Sequence, residues 1–140
     1  KTSLVISPSS LALNWLNESE KFTTDLKTLV IHGNMAERER LISQIDQYDL
    51  VITSYDLLKR DIELYKEKDY KFKYIIADEA QYLKNSNTQN AKSIKELKAD
   101  TRYALTGTPI ENSLSELWSI FDFIIGLNKI CLIKKLYQIT

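Results

Sequence analysis

Two adjacent carboxylates, Asp78 and Glu79, follow a short apolar segment and have the residue types and order that phosphate chemistry requires. The surrounding residues, 74–85, read YIIADEAQYLKN. A first carboxylate can hold the magnesium that bridges nucleotide phosphates, usually through water, and a second can orient and deprotonate an attacking water. An acidic first turn of a helix, which the helix dipole favours, explains the same pair without catalysis. The rest of the sequence decides between these interpretations.

Five apolar segments have the length and composition of β-strands. They are rich in Val, Ile, Leu or Tyr and occupy residues 3–7, 28–32, 49–54, 73–78 and 102–107. Apolar residues recur at helical spacing over 10–22, 35–47, 56–67 and 87–98, and residues 112–125 are more apolar throughout. Strands that are apolar throughout and alternate with helices are typical of a parallel sheet covered on both faces. The pattern predicts one α/β domain with three layers, α/β/α.

A polar cluster follows each predicted strand. In chain order the clusters read SPSS, HGN, TSYD, DEAQ and TGTP. Because the carboxyl ends of parallel strands share one edge, where α/β proteins bind ligands, we expect all of them side by side. Each cluster alone has a structural explanation, since Ser10, Asp56 and Asn112 are good helix N-caps and Pro109 ends a strand. Their shared position favours a functional edge.

Composition limits the classes of protein to consider. Hydrophobic residues make up 44% of the chain and charged residues 27%, and no apolar run is long enough to cross a bilayer. The first residues do not resemble a signal peptide. With one cysteine, Cys131, and one histidine, His32, neither an internal disulfide nor a Cys/His zinc site can form. We therefore expect a reducing, cytoplasmic setting.

The charge balance shows no bulk attraction to nucleic acid. Nineteen basic residues offset nineteen acidic ones, which gives a formal net charge of zero. Backbone amides, hydroxyls and helix N-termini also hold phosphates and leave no trace in net charge. DNA binding therefore stays open.

Several of these motifs together resemble the first motor lobe of Swi/Snf-family ATPases. These enzymes are helicase-like, ATP-driven translocases on double-stranded DNA and belong to helicase superfamily 2. The matching stretches are SLVISPSSLALNWLNESEKF, LVIHGN, YDLVITSYDLLKRD, ADEAQYLKN and ALTGTPIENSLSELWSIFDFI. They occur in the family's order over residues 1–124. The resemblance implies a RecA-like parallel sheet of the P-loop NTPase type, with a partial lobe at 1–125 and a divergent tail at 126–140.

The resemblance also implies roles for particular residues. Asp78 and Glu79 become the acidic box, with Mg²⁺ held through water by Asp78, and Gln81 stands where many relatives have His and contacts motif III. Motif III, which links the nucleotide's state to the DNA track, would be Thr106, Gly107 and Thr108. Residues implied to contact the phosphates of one DNA strand are Ser7, Ser9, Ser10, Thr53 and Ser54. The implied ligands are ATP with Mg²⁺ and double-stranded DNA.

The sequence departs from the family pattern near both ends. No Gly-rich loop ending in Gly-Lys-Thr occurs, so we expect the sheet to lack the P-loop strand. Strand 102–107 would then have an unpaired edge, which predicts marginal stability or self-association. The second RecA-like lobe would be a partner, and the segment alone would be inactive. In the tail, Leu132, Ile133, Leu136 and Ile139 have the spacing of an amphipathic helix.

Alternatives remain within and outside the enzymes. One is a non-enzymatic module that uses the same edge to bind DNA or a protein. Another is a different superfamily 2 motor, such as a restriction translocase or RNA helicase, although ITSYDLL and GTPIENSLSELWSIFDFI argue against it. Core packing is the expected role of Trp15, Phe22, Trp118 and Phe121. A motor of this kind would be nucleoid-associated in a bacterium and nuclear in a eukaryote.

Overall fold

The apolar segments form parallel strands, and the amphipathic segments form the helices between them. A computed structural model describes residues 1–22, 25–83, 85 and 88–106, and the backbone of 132–134. The strands are β1 Ser3–Ser7, β2 Thr28–Val30, β3 Leu50–Ser54, β4 Lys71–Ala77, β5 Lys98–Thr106 and β6 Leu132–Lys134. The helices are α1 Ala12–Phe22, α2 Met35–Ile42, α3 Tyr55–Glu67 and α4 Gln89–Lys95. Short 3₁₀ turns occupy Ser9–Leu11, Ile45–Gln47 and Ala80–Leu83.

The sheet has the order β2-β3-β1-β4-β5-β6, and every neighbouring pair is parallel. Ser7 at the end of β1 lies opposite Ser54 at the end of β3. Ala77 at the end of β4 lies opposite Ala104 of β5. The carboxyl ends of the strands therefore share one edge, and the predicted parallel α/β fold is confirmed.

The central strands are buried on both faces, which explains their continuous apolar sequence. Leu4 and Ile6 of β1 belong to the main hydrophobic core, together with Leu58 and Tyr65 of α3. Val5 lies between Leu4 and Ile6 in sequence and is also fully buried. Because successive side chains of a strand point to opposite faces, Val5 is covered on the other side of the sheet.

The turn between β2 and α2 explains the HGN cluster in structural terms. Gly33 has a positive φ of 90°, a conformation that glycine adopts without strain. Asn34 caps α2 by accepting a hydrogen bond from the Glu37 backbone, and the Glu37 side chain accepts one from the Asn34 backbone. His32 is exposed. This cluster starts a helix and needs no chemical role.

A buried ion pair joins α2 to α3. The Arg38 side chain donates to both carboxylate oxygens of Asp61, with Nε–Oδ2 at 2.9 Å, and its Nη1 donates to the Gly33 carbonyl oxygen. Arg38 is 7% exposed and Asp61 is 2% exposed. The sequence did not predict this pair, because Asp61 lies in the charged run KRDIELYKEKDYKFK that reads as a solvated helix face.

The tail differs from the sequence-based expectation. Residues Leu132–Lys134, expected in an amphipathic helix, form strand β6, which pairs with β5 at Ala104–Thr106. The carboxyl end of β5 therefore does not present the unpaired edge that was predicted, because β6 satisfies its backbone hydrogen-bonding groups. This removes the reason given for self-association at that end. The division at residue 125 stays a prediction, and residues 112–125 lie outside the described part of the chain.

None of the helices in the described residues is both long and apolar enough to cross a bilayer.

Candidate functional site

Asp78 and Glu79 lie where β4 leaves the sheet, and both are buried. The Asp78 backbone N–H donates to the Ile6 carbonyl oxygen of β1 at 2.8 Å, so the first acid is still tied to the sheet. Asp78 is 1% exposed and Glu79 is 8% exposed. Burying a carboxylate is costly unless donors surround it, so the partners of these side chains decide what the pair can do.

Two neutral donors among the described residues bind the Asp78 carboxylate. Its Oδ1 accepts from the Glu79 backbone N–H at 2.9 Å, and its Oδ2 accepts from the indole Nε1–H of Trp15 at 2.8 Å. Hydrogen bonds to a charged acceptor are stronger than those between neutral groups. They fix the direction of the carboxylate at the sheet edge.

Trp15 therefore does more than pack in the core, which was its predicted role. It lies on α1, half-buried, and beside it opens a cavity of about 230 Å³ lined by Leu11, Asn14, Trp15, Glu18, Asp78 and Leu105. A half-buried indole usually donates its single N–H to an acceptor, so the presence of a Trp in the sequence predicts a hydrogen bond of this kind. Which acceptor it meets depends on how α1 packs, and the sequence does not show that.

Glu79 is linked to β5 through Gln81. The Gln81 Nε2 donates to Glu79 Oε2 at 2.6 Å, and the Gln81 Oε1 accepts from the Thr106 hydroxyl at 3.2 Å. The contact between the acidic box and motif III that the resemblance implied is therefore present at Thr106. Gly107 and Thr108, the other two residues predicted to form motif III, lie outside the described residues.

The interpretation of the pair as an acidic first turn of a helix is wrong. Residues Ala80–Leu83 form a short 3₁₀ turn with no acid in its first turn, and no α-helix starts there. Glu79 itself has a positive φ of 50°. The side chains are buried and engaged with Trp15 and Gln81, whereas an exposed helix end would leave them in solvent.

The candidate DNA-contacting residues fall into two groups. Ser9 and Ser10 are exposed on the 3₁₀ turn after β1. Ser7, Thr53 and Ser54 are buried, at 0%, 1% and 4% exposure. The Ser54 side chain caps α3 by accepting from the Leu57 backbone N–H. In this arrangement only the first group presents hydroxyls to an approaching phosphate.

The described residues contain no group of three or more His, Cys, Asp or Glu side chains arranged to hold a metal ion. A metal at this edge would therefore rely on the Asp78 carboxylate together with water and ligand oxygens. Mg²⁺ is commonly bound in that way, because it keeps several waters and takes one or two carboxylates plus phosphate oxygens. The donors present fit Mg²⁺ accompanied by a nucleotide.

The parallel α/β sheet, with an acidic pair buried at its carboxyl edge, agrees with the RecA-like lobe that the sequence resemblance implied. The SNF2-related domain matches residues 1–129, and the chain belongs to that family.

Relatives and solved structures agree. The chain is 42% identical over 123 residues to an uncharacterized ATP-dependent helicase of Mycoplasma genitalium, covering 88% of this chain and 12% of the relative. It is 40% identical over 122 residues to the TATA-binding protein-associated factor MOT1 of Saccharomyces cerevisiae, covering 87% of this chain and 6% of the relative.

The SWI2/SNF2 ATPase core of Sulfolobus solfataricus, solved in complex with dsDNA, superposes with a TM-score of 0.76 at 43% identity. That match covers 88% of this chain and 25% of the Sulfolobus chain. This chain therefore spans only a small part of the proteins it resembles.

Proposed function

We propose that this chain is the part of a Swi/Snf-type DNA translocase lobe that holds the magnesium side of ATP and activates the attacking water. The observation that carries the proposal is the buried Asp78–Glu79 pair, whose side chains are fixed by Trp15 and Gln81. The relatives support it, because one is named an ATP-dependent helicase and a structural neighbour is an ATPase core with bound dsDNA.

Asp78 is the proposed magnesium ligand. Bound Mg²⁺ would neutralise charge on the nucleotide phosphates. The two hydrogen bonds to Asp78 hold its carboxylate at the sheet edge before the ligand arrives, so no reorientation is needed on binding. The Asp78 carboxylate would hold the ion through intervening water.

Glu79 is the proposed general base. Its carboxylate would orient a water molecule and accept its proton as the water attacks the terminal phosphate. Gln81 holds one oxygen of that carboxylate, and Thr106 in turn donates to Gln81. Because the three side chains form one chain of hydrogen bonds, a shift at the end of β5 would reach the base. We assign the sensing of the nucleotide to Thr106 with Gly107 and Thr108.

Double-stranded DNA is the proposed track. Ser9 and Ser10 would contact phosphates of one strand, whereas Ser7, Thr53 and Ser54 would support the loops from below or act through their backbone groups. With a formal net charge of zero, binding by this chain alone should be weak, indifferent to sequence and lost in moderate salt. Tight sequence-specific binding in a filter or anisotropy assay would instead favour the non-enzymatic binding module.

Hydrolysis is proposed to need further protein segments. These 140 residues contain no Gly-rich loop ending in Gly-Lys-Thr, so the phosphates lack their usual cradle of amides and Lys. A P-loop segment and a second RecA-like lobe would complete the ATP cleft. The proposed location is the cytoplasm, with the nucleoid in a bacterium or the nucleus in a eukaryote as the place of action.

The experiment compares ATP hydrolysis by the chain alone with hydrolysis by a motor assembled from this chain, a P-loop segment and a second lobe. We expect none from the chain alone and DNA-stimulated hydrolysis from the assembled motor. In that motor Asp78→Asn should raise the Mg²⁺ concentration needed for half-maximal nucleotide binding, by about tenfold or more. Asp46→Asn, an exposed change of the same chemistry, is the matched control.

An assembled motor whose Mg²⁺ requirement is the same with Asp78→Asn as with Asp46→Asn would contradict the metal assignment. A rate of ATP hydrolysis that is the same with and without duplex DNA would contradict the translocase assignment and leave the ATPase assignment in place.

A further inference from the structure

Tyr55 contacts the acidic pair and has no part in the mechanism proposed above. It is the first residue of α3 and is 3% exposed. Its hydroxyl donates a hydrogen bond of 2.7 Å to the backbone carbonyl oxygen of Asp78. Its ring stacks on that of Tyr82, with centroids 5.1 Å apart and planes 3° apart. Tyr55 thus contacts the chain on both sides of Glu79, at Asp78 and at Tyr82.

The backbone that Tyr55 holds is strained. Glu79 has a φ of 50°, a left-handed conformation that costs a residue with a side chain about 1–2 kcal/mol. The other such residue in the described part of the chain is Asp69, with a φ of 51°, just beyond the end of α3. Left-handed residues are common at that position of a helix. Glu79 has no helix end to explain it, so neighbouring contacts must hold it.

Those contacts act on the peptide that joins the two acids. Its carbonyl oxygen accepts from the Tyr55 hydroxyl, and its N–H donates to the Asp78 carboxylate. The Glu79 carbonyl oxygen then accepts from the Tyr82 N–H at 3.1 Å. With both ends of the peptide engaged, its plane is fixed, and the direction in which the Glu79 side chain leaves the backbone follows from that plane.

We propose that Tyr55 is a positioning residue for water activation, which fixes the peptide between Asp78 and Glu79 and so aims the Glu79 carboxylate. The inference rests on the proposed role of Glu79 as the base. A small misplacement of a catalytic group is costly, because a shift of about 1 Å can reduce the rate about a hundredfold.

The chain offers a matched control for removing this hydroxyl. The Tyr70 hydroxyl donates to the Ile42 backbone carbonyl oxygen at 2.6 Å, so Tyr70→Phe deletes a bond of the same type elsewhere in the fold. Tyr55→Phe keeps the ring that stacks on Tyr82. The two variants lose the same atom and differ in which carbonyl is released.

The first measurement uses the chain as it is. Amide hydrogen exchange followed by NMR should show the Glu79 amide exchanging about fivefold to tenfold faster in Tyr55→Phe, because the peptide is held from one side only. Tyr70→Phe should leave that amide within about twofold of the parent after correction for global stability. Equal exchange at Glu79 in the two variants would overturn the inference.

The second measurement uses the assembled motor. Tyr55→Phe should lower kcat for ATP hydrolysis by about tenfold or more while KM for ATP changes about twofold or less, because the ground state is bound as before. Tyr70→Phe should leave kcat near the parent value. A loss in Tyr55→Phe that falls on KM alone would contradict a positioning role.

Glu79→Gln, measured alongside, separates the two levels of the argument. If Glu79→Gln removes turnover and Tyr55→Phe behaves like Tyr70→Phe, the positioning role fails and the proposed function stands. If Glu79→Gln turns over normally, the proposed function fails, and the positioning role fails with it.

A further variant covers the case in which Tyr55→Phe does not fold. Tyr82→Leu removes the stacking partner from a side chain that is 47% exposed and leaves the Tyr55 hydroxyl in place. It should raise Glu79 amide exchange by about threefold, more than the Tyr70→Phe control and less than the loss of the hydrogen bond itself. An unchanged exchange rate would show that the ring of Tyr55, through its stack on Tyr82, does not help to hold the peptide.

Discussion

Replacing Trp15 by Phe removes the indole N–H that holds Asp78 and keeps an aromatic ring on α1. Asp78 is 1% exposed, and its Oδ2 accepts the hydrogen bond of this indole. A hydrogen bond to a charged group contributes about 1.5–3 kcal/mol, and the smaller ring also loses some packing against the neighbouring cavity. We expect Trp15→Phe to destabilise the chain by about 2 kcal/mol, which corresponds to a fall in Tm of about 5–10 °C.

A double-mutant cycle separates the hydrogen bond from the packing. Asp78→Ala removes the acceptor, and the cycle combines it with Trp15→Phe. Urea denaturation of the parent, both single variants and the double variant gives four free energies of unfolding. The double variant should be more stable than the sum of the single losses predicts, with a coupling of about 1–2 kcal/mol, because the 2.8 Å bond is lost only once.

A coupling within about 0.3 kcal/mol of zero would refute the reasoning. It would mean that Trp15 stabilises α1 by packing alone and does not hold the Asp78 carboxylate. The assignment of Asp78 as a metal ligand would then lose its argument from preorganisation, although the residue would still stand at the sheet edge.

Three further predictions concern stability and are all measured by denaturation of the chain. Asp61→Leu should cost about 3–5 kcal/mol because it leaves Arg38 buried and unpaired, and Arg38→Met added to it should recover most of the loss. Gly33→Ala should cost about 1–2 kcal/mol, since a Cβ there would lie 1.7 Å from the Glu37 carboxylate that bonds to the Asn34 backbone. The contribution of Tyr55 and Tyr65 to the free energy of unfolding should be fully present below about pH 10 and fall above it. The reason is that burial raises the pKa of both phenols in the folded chain, while both ionise normally when unfolded. Tyr55→Phe should reduce this loss of stability at alkaline pH. The corresponding argument would be contradicted if Arg38→Met restored no stability, if Gly33→Ala did not destabilise the chain, or if stability rose above about pH 10.

The sequence predicted the sheet because it follows from local pattern. Each continuous apolar segment became a parallel strand, and the carboxyl ends of these strands share one edge. The resemblance implied a contact between Gln81 and motif III, and Gln81 does contact Thr106, because the carboxyl ends of β4 and β5 are neighbours in register. Boundaries were less accurate: β5 starts at Lys98, the last residue of the segment 87–98 whose apolar spacing predicted a helix.

The features that the sequence missed depend on contacts between distant parts of the chain. The bond between Trp15 and Asp78 joins residues 63 positions apart, and that between Tyr55 and Asp78 joins residues 23 positions apart. The sequence around Asp61 is typical of an exposed helix face, and nothing in α3 itself shows that Arg38 of α2 pairs with it. Strand β6 was missed because its three residues are too few to show an alternating pattern. Its extended conformation depends on pairing with β5.

The most direct test of the central claim is the DNA-stimulated turnover of ATP by the assembled motor carrying Glu79→Gln, with Glu39→Gln as the control. Glu39 is exposed on α2, so its substitution makes the same chemical change away from the site. If Glu79 is the base, Glu79→Gln should bind nucleotide like the parent and lose turnover by about a hundredfold or more, whereas Glu39→Gln should match the parent. Turnover by Glu79→Gln near the parent level would show that the acidic pair does not carry the chemistry.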